Sequence, residues 1–250
     1  MLLNVENEAV IPINWYTTSK PTLYYRLNIV NNRNYTIYYK ITTPQSDLVL
    51  SNNTGSISSA TTGTVMFKIY FPIPSSPKDY IVNLNIGIYS DSSYNNMIDS
   101  GNFDLVVHFI DLNTVNVIGK WDFSDGTTQG WGNAGVNGTA FADPYSIATS
   151  TSSSGFGYVT SPSVTLPSTG NIWFIFAHKP SSSSTVRVYL SFGSTTIKDI
   201  SNISIGSDQW YVFAIKITQG LGTTNSFKIT FYLSTGGNYG LFDDIYIVSL

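Results

Sequence analysis

Along most of this chain, β-branched and aromatic residues alternate with polar ones at a period of two, the mark of strands with one buried face. In the first half the alternation runs through Thr22–Val30, Tyr35–Thr42, Thr64–Phe71, Tyr80–Tyr89 and Asn102–Ile110. Clusters rich in Pro, Gly, Asn and Ser interrupt it at Ser19–Pro21, Asn31–Asn34, Ser51–Gly55, Pro72–Pro77 and Asp91–Asn96. Such residues either preset turn dihedrals or compete for backbone hydrogen bonds, so they separate strands. No segment carries a 3.6-residue apolar stripe flanked by helix caps.

Strands resume in the second half at Asn171–His178, Val186–Phe192, Trp210–Thr218 and Ser226–Leu233, with shorter ones near Tyr145–Ala148, Tyr158–Val159 and Ile200–Ile205 and a closing strand at the C-terminus. Asp111–Lys120 is the expected hand-over, since Gly and Ser rise after it and Ser-rich loops follow at Thr149–Gly155 and Ser181–Thr185. The expectation is an all-β chain of two tandem β-sandwiches. Residues 1–112, with about seven strands, follow the immunoglobulin-like pattern without its cysteines, 113–119 link, and 120–250, with about eight strands, form a jelly roll. Pro77–Leu84 resembles the approach to a late strand of immunoglobulin-like domains, where Tyr80 would anchor the corner through a hydroxyl bond to backbone. An ordinary strand aromatic is the alternative.

Composition narrows the setting. Hydrophobic residues make up 42% of the 250 and aromatics 14%, enough for a real core, while charged residues make up only 11%, under half of the roughly 25% usual in soluble domains. Hydroxyl and amide side chains wet the surface instead, and such a surface changes little with pH or salt. That suits an extracellular or acidic exterior. The net charge of −3 comes with no basic run, so nucleic acid is not an expected partner, and the lack of cysteine excludes disulfides. Asn34, Asn52, Asn137 and Asn202 head glycosylation sequons. Met1–Glu8 has neither a basic stretch nor a sustained apolar run, so no leader is expected there, and no run approaches a membrane span.

Two short segments bracket the second half: Trp121-Asp122-Phe123-Ser124-Asp125-Gly126 running to Gly130-Trp131, and Leu241-Phe242-Asp243-Asp244-Ile245. Together they resemble the ends of the carbohydrate-binding-module, galactose-binding-like jelly roll. The resemblance implies that Trp131 and Trp210 pack the core. It also implies a structural calcium ion, with Asp122 and Asp243 at the matching positions and Asp125 and Asp244 beside them. Many relatives carry Glu where this chain has Asp122. Simple alternation puts Leu241, Asp243, Ile245 and Ile247 on one strand face, and an inward carboxylate must be coordinated or hydrogen-bonded. Backbone amides are the alternative to calcium.

Two later strands suggest a binding face. Arg187, Tyr189 and Ser191 alternate against Val186, Val188 and Leu190, and Lys228, Thr230 and Tyr232 against Phe227, Ile229 and Phe231. If the strands are neighbours, Arg187, Tyr189, Lys228 and Tyr232 form a surface able to stack on and hydrogen-bond a sugar; a plain solvated face is the alternative.

Catalysis is not expected. The only glutamates are Glu6 and Glu8, no Gly-x-Ser-x-Gly elbow occurs, and His108 and His178 have no acid at motif spacing. The expected role is a non-enzymatic exterior structural or attachment protein, associating with other copies or subunits and with cell-surface glycans. Low charge, absent cysteine and Tyr/Ile/Asn/Ser richness resemble the exterior proteins of viruses of thermoacidophilic archaea. The rival expectation is a secreted carbohydrate-binding protein or the accessory module of a glycoside hydrolase.

Overall fold

Side chains branched at Cβ, or aromatic, at every second position favour pleated strands over helix. The computed structural model describes residues 2–4, 7–16, 20–142, 144–152, 155–181, 184–205, 209–233 and 239–250, with backbone only at 2–4, 184–187 and 201–205. Among these residues there are nineteen strands and one 3-10 turn, Ile13–Trp15. No helix is long and apolar enough to cross a membrane. The all-β expectation holds. The chain divides into two compact units, Met1–Asn113 and Thr114–Leu250.

In the N-terminal unit one layer runs β1 (Leu2–Asn4), β3 (Thr22–Asn31), β7 (Thr61–Tyr70), β5 (Val49–Ser51). The other runs β2 (Glu8–Pro12), β9 (Met97–Ile110), β8 (Lys78–Tyr89), β4 (Ile37–Thr42), β6 (Thr54–Ile57). β1 pairs with β3, and β2 with β9, in parallel; the remaining pairs are antiparallel. Leu23, Tyr25, Val65, Phe67 and Ile69 from one layer are buried, as are Val82, Leu84, Leu105, Val107 and Phe109 from the other. The rings of Tyr25 and Phe103 stack at 5.7 Å and those of Phe71 and Phe109 meet edge-on at 5.4 Å, joining the layers. β1, β2, β5 and β6 were not foreseen, being too short to show a period.

Tyr80 does not bond backbone. Its hydroxyl donates to the Asp47 carboxylate at 2.6 Å, and burial, reinforced by that bond, pushes its pKa up to about 12. Asp47 lies 33 residues away, and no local pattern announces it. His108 likewise finds an acid across the ladder: Nδ1 is 2.7 Å from Asp79 Oδ1, the two residues being opposite in β8 and β9.

In the C-terminal unit one layer runs β11 (Gly135–Asn137), β12 (Ser146–Ser150), β19 (Tyr239–Ser249), β14 (Ile172–Pro180), β17 (Tyr211–Ile217). β10 (Asn116–Trp121) pairs with the far half of β19, from Ile245 to Ser249. It starts inside the stretch expected to link the domains, because Val117 and Ile118 open an apolar segment that the closing strand accepts. The other layer runs β13 (Phe156–Thr165), β18 (Thr224–Tyr232), β15 (Ser184–Phe192), β16 (Thr195–Ile205). Every pair in the unit is antiparallel.

Aromatic side chains fill the space between these layers. Phe174 lies 4.6 Å from Phe227, and Phe231 lies 5.5 Å from Phe242. β14 is buried from Ile172 through His178, and a strand buried on both faces reads as a continuous apolar run. Trp131 is buried as the resemblance implied, whereas Trp210, implied to be core as well, is only half-buried against Phe141; Trp173 is buried too. His178 is fully buried, stacked 4.6 Å from Phe242, with Nδ1–H donating to the Leu241 carbonyl at 3.0 Å. Nε2 has no partner, and burial pushes the pKa down to about 4 against that bond.

Candidate functional site

The outer face of the β13–β18–β15–β16 layer is set by register. Tyr232 of β18 stands opposite Phe156 of β13 on one side and Arg187 of β15 on the other. One step along, Thr230 faces Tyr158 and Tyr189, and Tyr189 in turn faces Asp199 of β16. The next row is Thr160, Lys228 and Ser191. Partners opposite one another in a ladder share a face, so Arg187, Tyr189, Lys228 and Tyr232 occupy adjacent positions of one surface. The intervening Val188, Leu190, Ile229 and Phe231 are buried. The Arg187 side chain lies outside the described residues.

Two residues of this face escaped the sequence reading. Phe156 and Tyr158 are each 41% exposed. Phe156 leans on Tyr232 with ring centroids 4.9 Å apart, and the Lys228 ammonium sits 4.1 Å from the Tyr158 centroid. A cation held over a ring keeps both side chains ordered. The clue was present, as Phe156, Tyr158 and Thr160 alternate with Gly157, Val159 and Ser161, but only pairing with β18 puts them beside Lys228. Aromatic rings held open to solvent, with hydroxyl and ammonium groups between them, can stack on apolar ring faces and hydrogen-bond hydroxyls.

The four aspartates behave differently. A register shift between Ile175 and Ala177 places Asp243 opposite Ala177 and Tyr246 opposite Ile175, and Asp244 adopts φ +47. This bulge reverses the alternation. Asp243 shares a face with Ala177, while Ile247 stands opposite Phe174 on the other face. The expectation that Asp243, Ile245 and Ile247 point the same way is therefore corrected. Asp243 is nevertheless fully buried, its Oδ2 accepting from the Phe141 amide at 2.7 Å and its Oδ1 from the Asp244 amide at 2.8 Å.

Asp122 binds the Lys120 ammonium at 2.9 Å. Burial alone would raise its pKa, but Lys120 and hydrogen bonds from Ser124 and Gln129 outweigh it and hold the group well below the usual carboxylate range. Asp125 closes its own turn by accepting from the Thr127 amide and hydroxyl. Among the described residues no three His, Asp or Glu side chains gather as a metal site, so the four aspartates do not come together as one carboxylate set. Chelator is expected to leave the melting temperature of the C-terminal unit unchanged. Asp243→Asn is expected to cost about 2 kcal/mol with or without calcium, since an amide offers one acceptor oxygen where two are used. A calcium-dependent rise in melting temperature, lost in Asp243→Asn, would overturn this.

No protein-family model matches the chain, and no curated protein matches it in sequence. Among solved structures it is similar to a family 61 carbohydrate-binding module in complex with β-1,4-galactotriose, at 16% identity over 52% of this chain and 94% of that one, TM-score 0.41. It is also similar to the CBM22-1 xylan-binding domain of Paenibacillus barcinonensis Xyn10C, at 16% identity over 54% and 95%, TM-score 0.41. A structure of carbohydrate-binding modules from the β-sandwich superfamily aligns at 13% identity over 93% and 99%, TM-score 0.40. Likeness at this level assigns no function.

Proposed function

We propose that this chain is a non-catalytic exterior protein whose C-terminal unit attaches to glycans through the outer face of β13, β18 and β15. The observation that carries the reading is the aromatic set Phe156, Tyr158, Tyr189 and Tyr232 on one sheet face, with Phe156 and Tyr158 exposed to solvent. A sheet face with no ligand has no need of rings there; hydroxyl and amide residues suffice, as they do elsewhere in this low-charge chain. The exterior role, as part of a virion or cell-surface assembly or as a secreted carbohydrate-binding module, draws on the 11% charge and the absence of cysteine.

A glycan array followed by titration tests the site. Tyr158→Ala and Tyr232→Ala are each expected to weaken binding about tenfold, roughly 1.4 kcal/mol, while leaving the melting temperature within about 2 °C, because surface substitutions rarely exceed 0.5 kcal/mol. Binding that survives both changes together would remove the site. Hydrolysis of polysaccharide that disappears on mutating one aspartate would overturn the non-catalytic reading.

A further inference from the structure

On one flank of the N-terminal unit, both layers end in strands that are only partly covered. β9 pairs with β8 from Met97 to Phe109 and with β2 from Val106 to Ile110. Among the described residues, nothing pairs with Met97–Leu105 on the side away from β8. In the facing layer, β3 pairs with β7 along its whole length and, among the described residues, with β1 at Leu23–Tyr25. Both stretches border a cavity of about 450 Å³ lined by Leu27, Ile29, Ile86, Ile88 and Phe103, together with Asn7 and Asp99. Those five apolar residues occupy the inward positions of their strands, in phase with Tyr25, Leu84 and Leu105. They are half-buried where the latter are buried. The sandwich is thus unfilled at this end. Gly101, in the middle of the open stretch of β9, also lines the cavity, and a Cβ placed there would meet no atom within 4 Å.

We propose that this flank receives an extended peptide strand from a partner protein. The strand pairs with Met97–Leu105, turns apolar side chains into the cavity and brings a basic residue to Asp99. Three features select that occupant. An open ladder edge presents a row of amides and carbonyls that another strand can pair in register, whereas a small apolar ligand would fill the cavity and make no use of that row. Inward side chains of a strand recur about every 7 Å, which matches the succession Phe103, Gly101, Asp99 along β9. Charge then discriminates. Met97–Leu105 contains Asp99 and Asp104 and no cation, so pairing with the same edge of a second copy would bring four carboxylates onto two adjacent strands. A strand bearing lysine or arginine meets attraction instead.

The test uses the full chain and a labelled nine-residue peptide of alternating valine and threonine with a lysine at each end, compared with the same peptide ending in glutamates. Fluorescence anisotropy is expected to show saturable binding of the lysine peptide and at least tenfold weaker binding of the glutamate one. Amide hydrogen exchange is expected to slow in Met97–Leu105 and not in β15 or β18. Gly101→Leu, which occupies the open space, should weaken binding at least tenfold. Asp99→Lys should reverse the preference between the peptides. Thermal melts would verify that both variants fold. Failure of the lysine peptide to bind at millimolar concentration, or binding without protection of Met97–Leu105, would overturn the proposal. So would a concentration-dependent dimer through this edge, because self-pairing contradicts the charge argument.

Discussion

Asn31→Asp is expected to destabilise the N-terminal unit by about 4 kcal/mol at pH 7, a large effect for one nearly isosteric change. Asn31 is buried at the end of β3, and its amide nitrogen donates to three carbonyls: Tyr35 at 2.9 Å, Ile57 at 3.2 Å and Ser58 at 2.8 Å. Its own oxygen accepts from the Arg33 amide at 3.0 Å. One side chain therefore ties the loop after β3 to the end of β6 and the residue that follows it. An ionised carboxylate has no proton to donate, so aspartate would set a buried charge against three carbonyl oxygens. That environment raises the new carboxyl's pKa in the folded state above its unfolded value. Destabilisation is then complete above the folded pKa and recedes as the pH falls through it toward the unfolded value, because the protonated acid can donate once. Denaturant melts at pH 7 and pH 5 check both points. A loss under 1 kcal/mol, or no recovery on acidification, would show that the loops hold without the amide. Asn31→Leu, lacking any donor or acceptor, should be destabilised with no such recovery.

The loop around Asn31 was legible as a turn, from Asn31-Asn32-Arg33-Asn34, but its clasp was not, since Ile57 and Ser58 are remote in sequence. The same division runs through the molecule. Long alternating or continuous apolar segments announced β3, β7, β8, β14 and β18, because their burial is decided by their own residues. Partners across the sheet are decided by topology, which a strand's own sequence does not contain. Tyr80 therefore finds Asp47 rather than backbone, and Phe156 and Tyr158 join the face of Lys228 and Tyr232 unannounced. Within the candidate site, alternation fixed which side of β15 and β18 faces solvent and placed a short strand near Tyr158–Val159, but it did not show that this strand, β13, lies beside β18. At the other end of the same unit it misled, because a bulge at a non-glycine residue, Asp244, shifts the phase of β19 and turns Asp243 to the opposite face. No glycine marks the spot, so the sequence gives no warning.

The composition argues for a protein indifferent to pH, yet His178 is expected to make the C-terminal unit lose about 3 kcal/mol of stability between pH 6.5 and pH 4. In the core the imidazole sits against Phe231 and Phe242, donates one proton to Leu241 and leaves Nε2 bare. A second proton would bury a charge among rings. The folded pKa is accordingly pushed down to about 4, below the unfolded value of roughly 6.5. The sign follows from which state binds the proton. Above pH 6.5 neither does, and the full stability is present. As the pH falls from there, the unfolded chain takes up a proton that the folded one refuses, and stability drops by about 1.4 kcal/mol per pH unit. The slope ends near pH 4, where the folded imidazole protonates as well. His178→Phe keeps an aromatic ring beside Phe242 but deprives the Leu241 carbonyl of its donor, a cost of about 1–2 kcal/mol at pH 8. It should also flatten the acid slope, so that wild type and variant become equally stable between about pH 5 and pH 6 and the variant is the more stable below. Carboxylates titrate alike in both proteins, so the difference between their stability curves isolates the histidine. Parallel curves from pH 8 to pH 4 would mean that the imidazole takes its second proton without penalty.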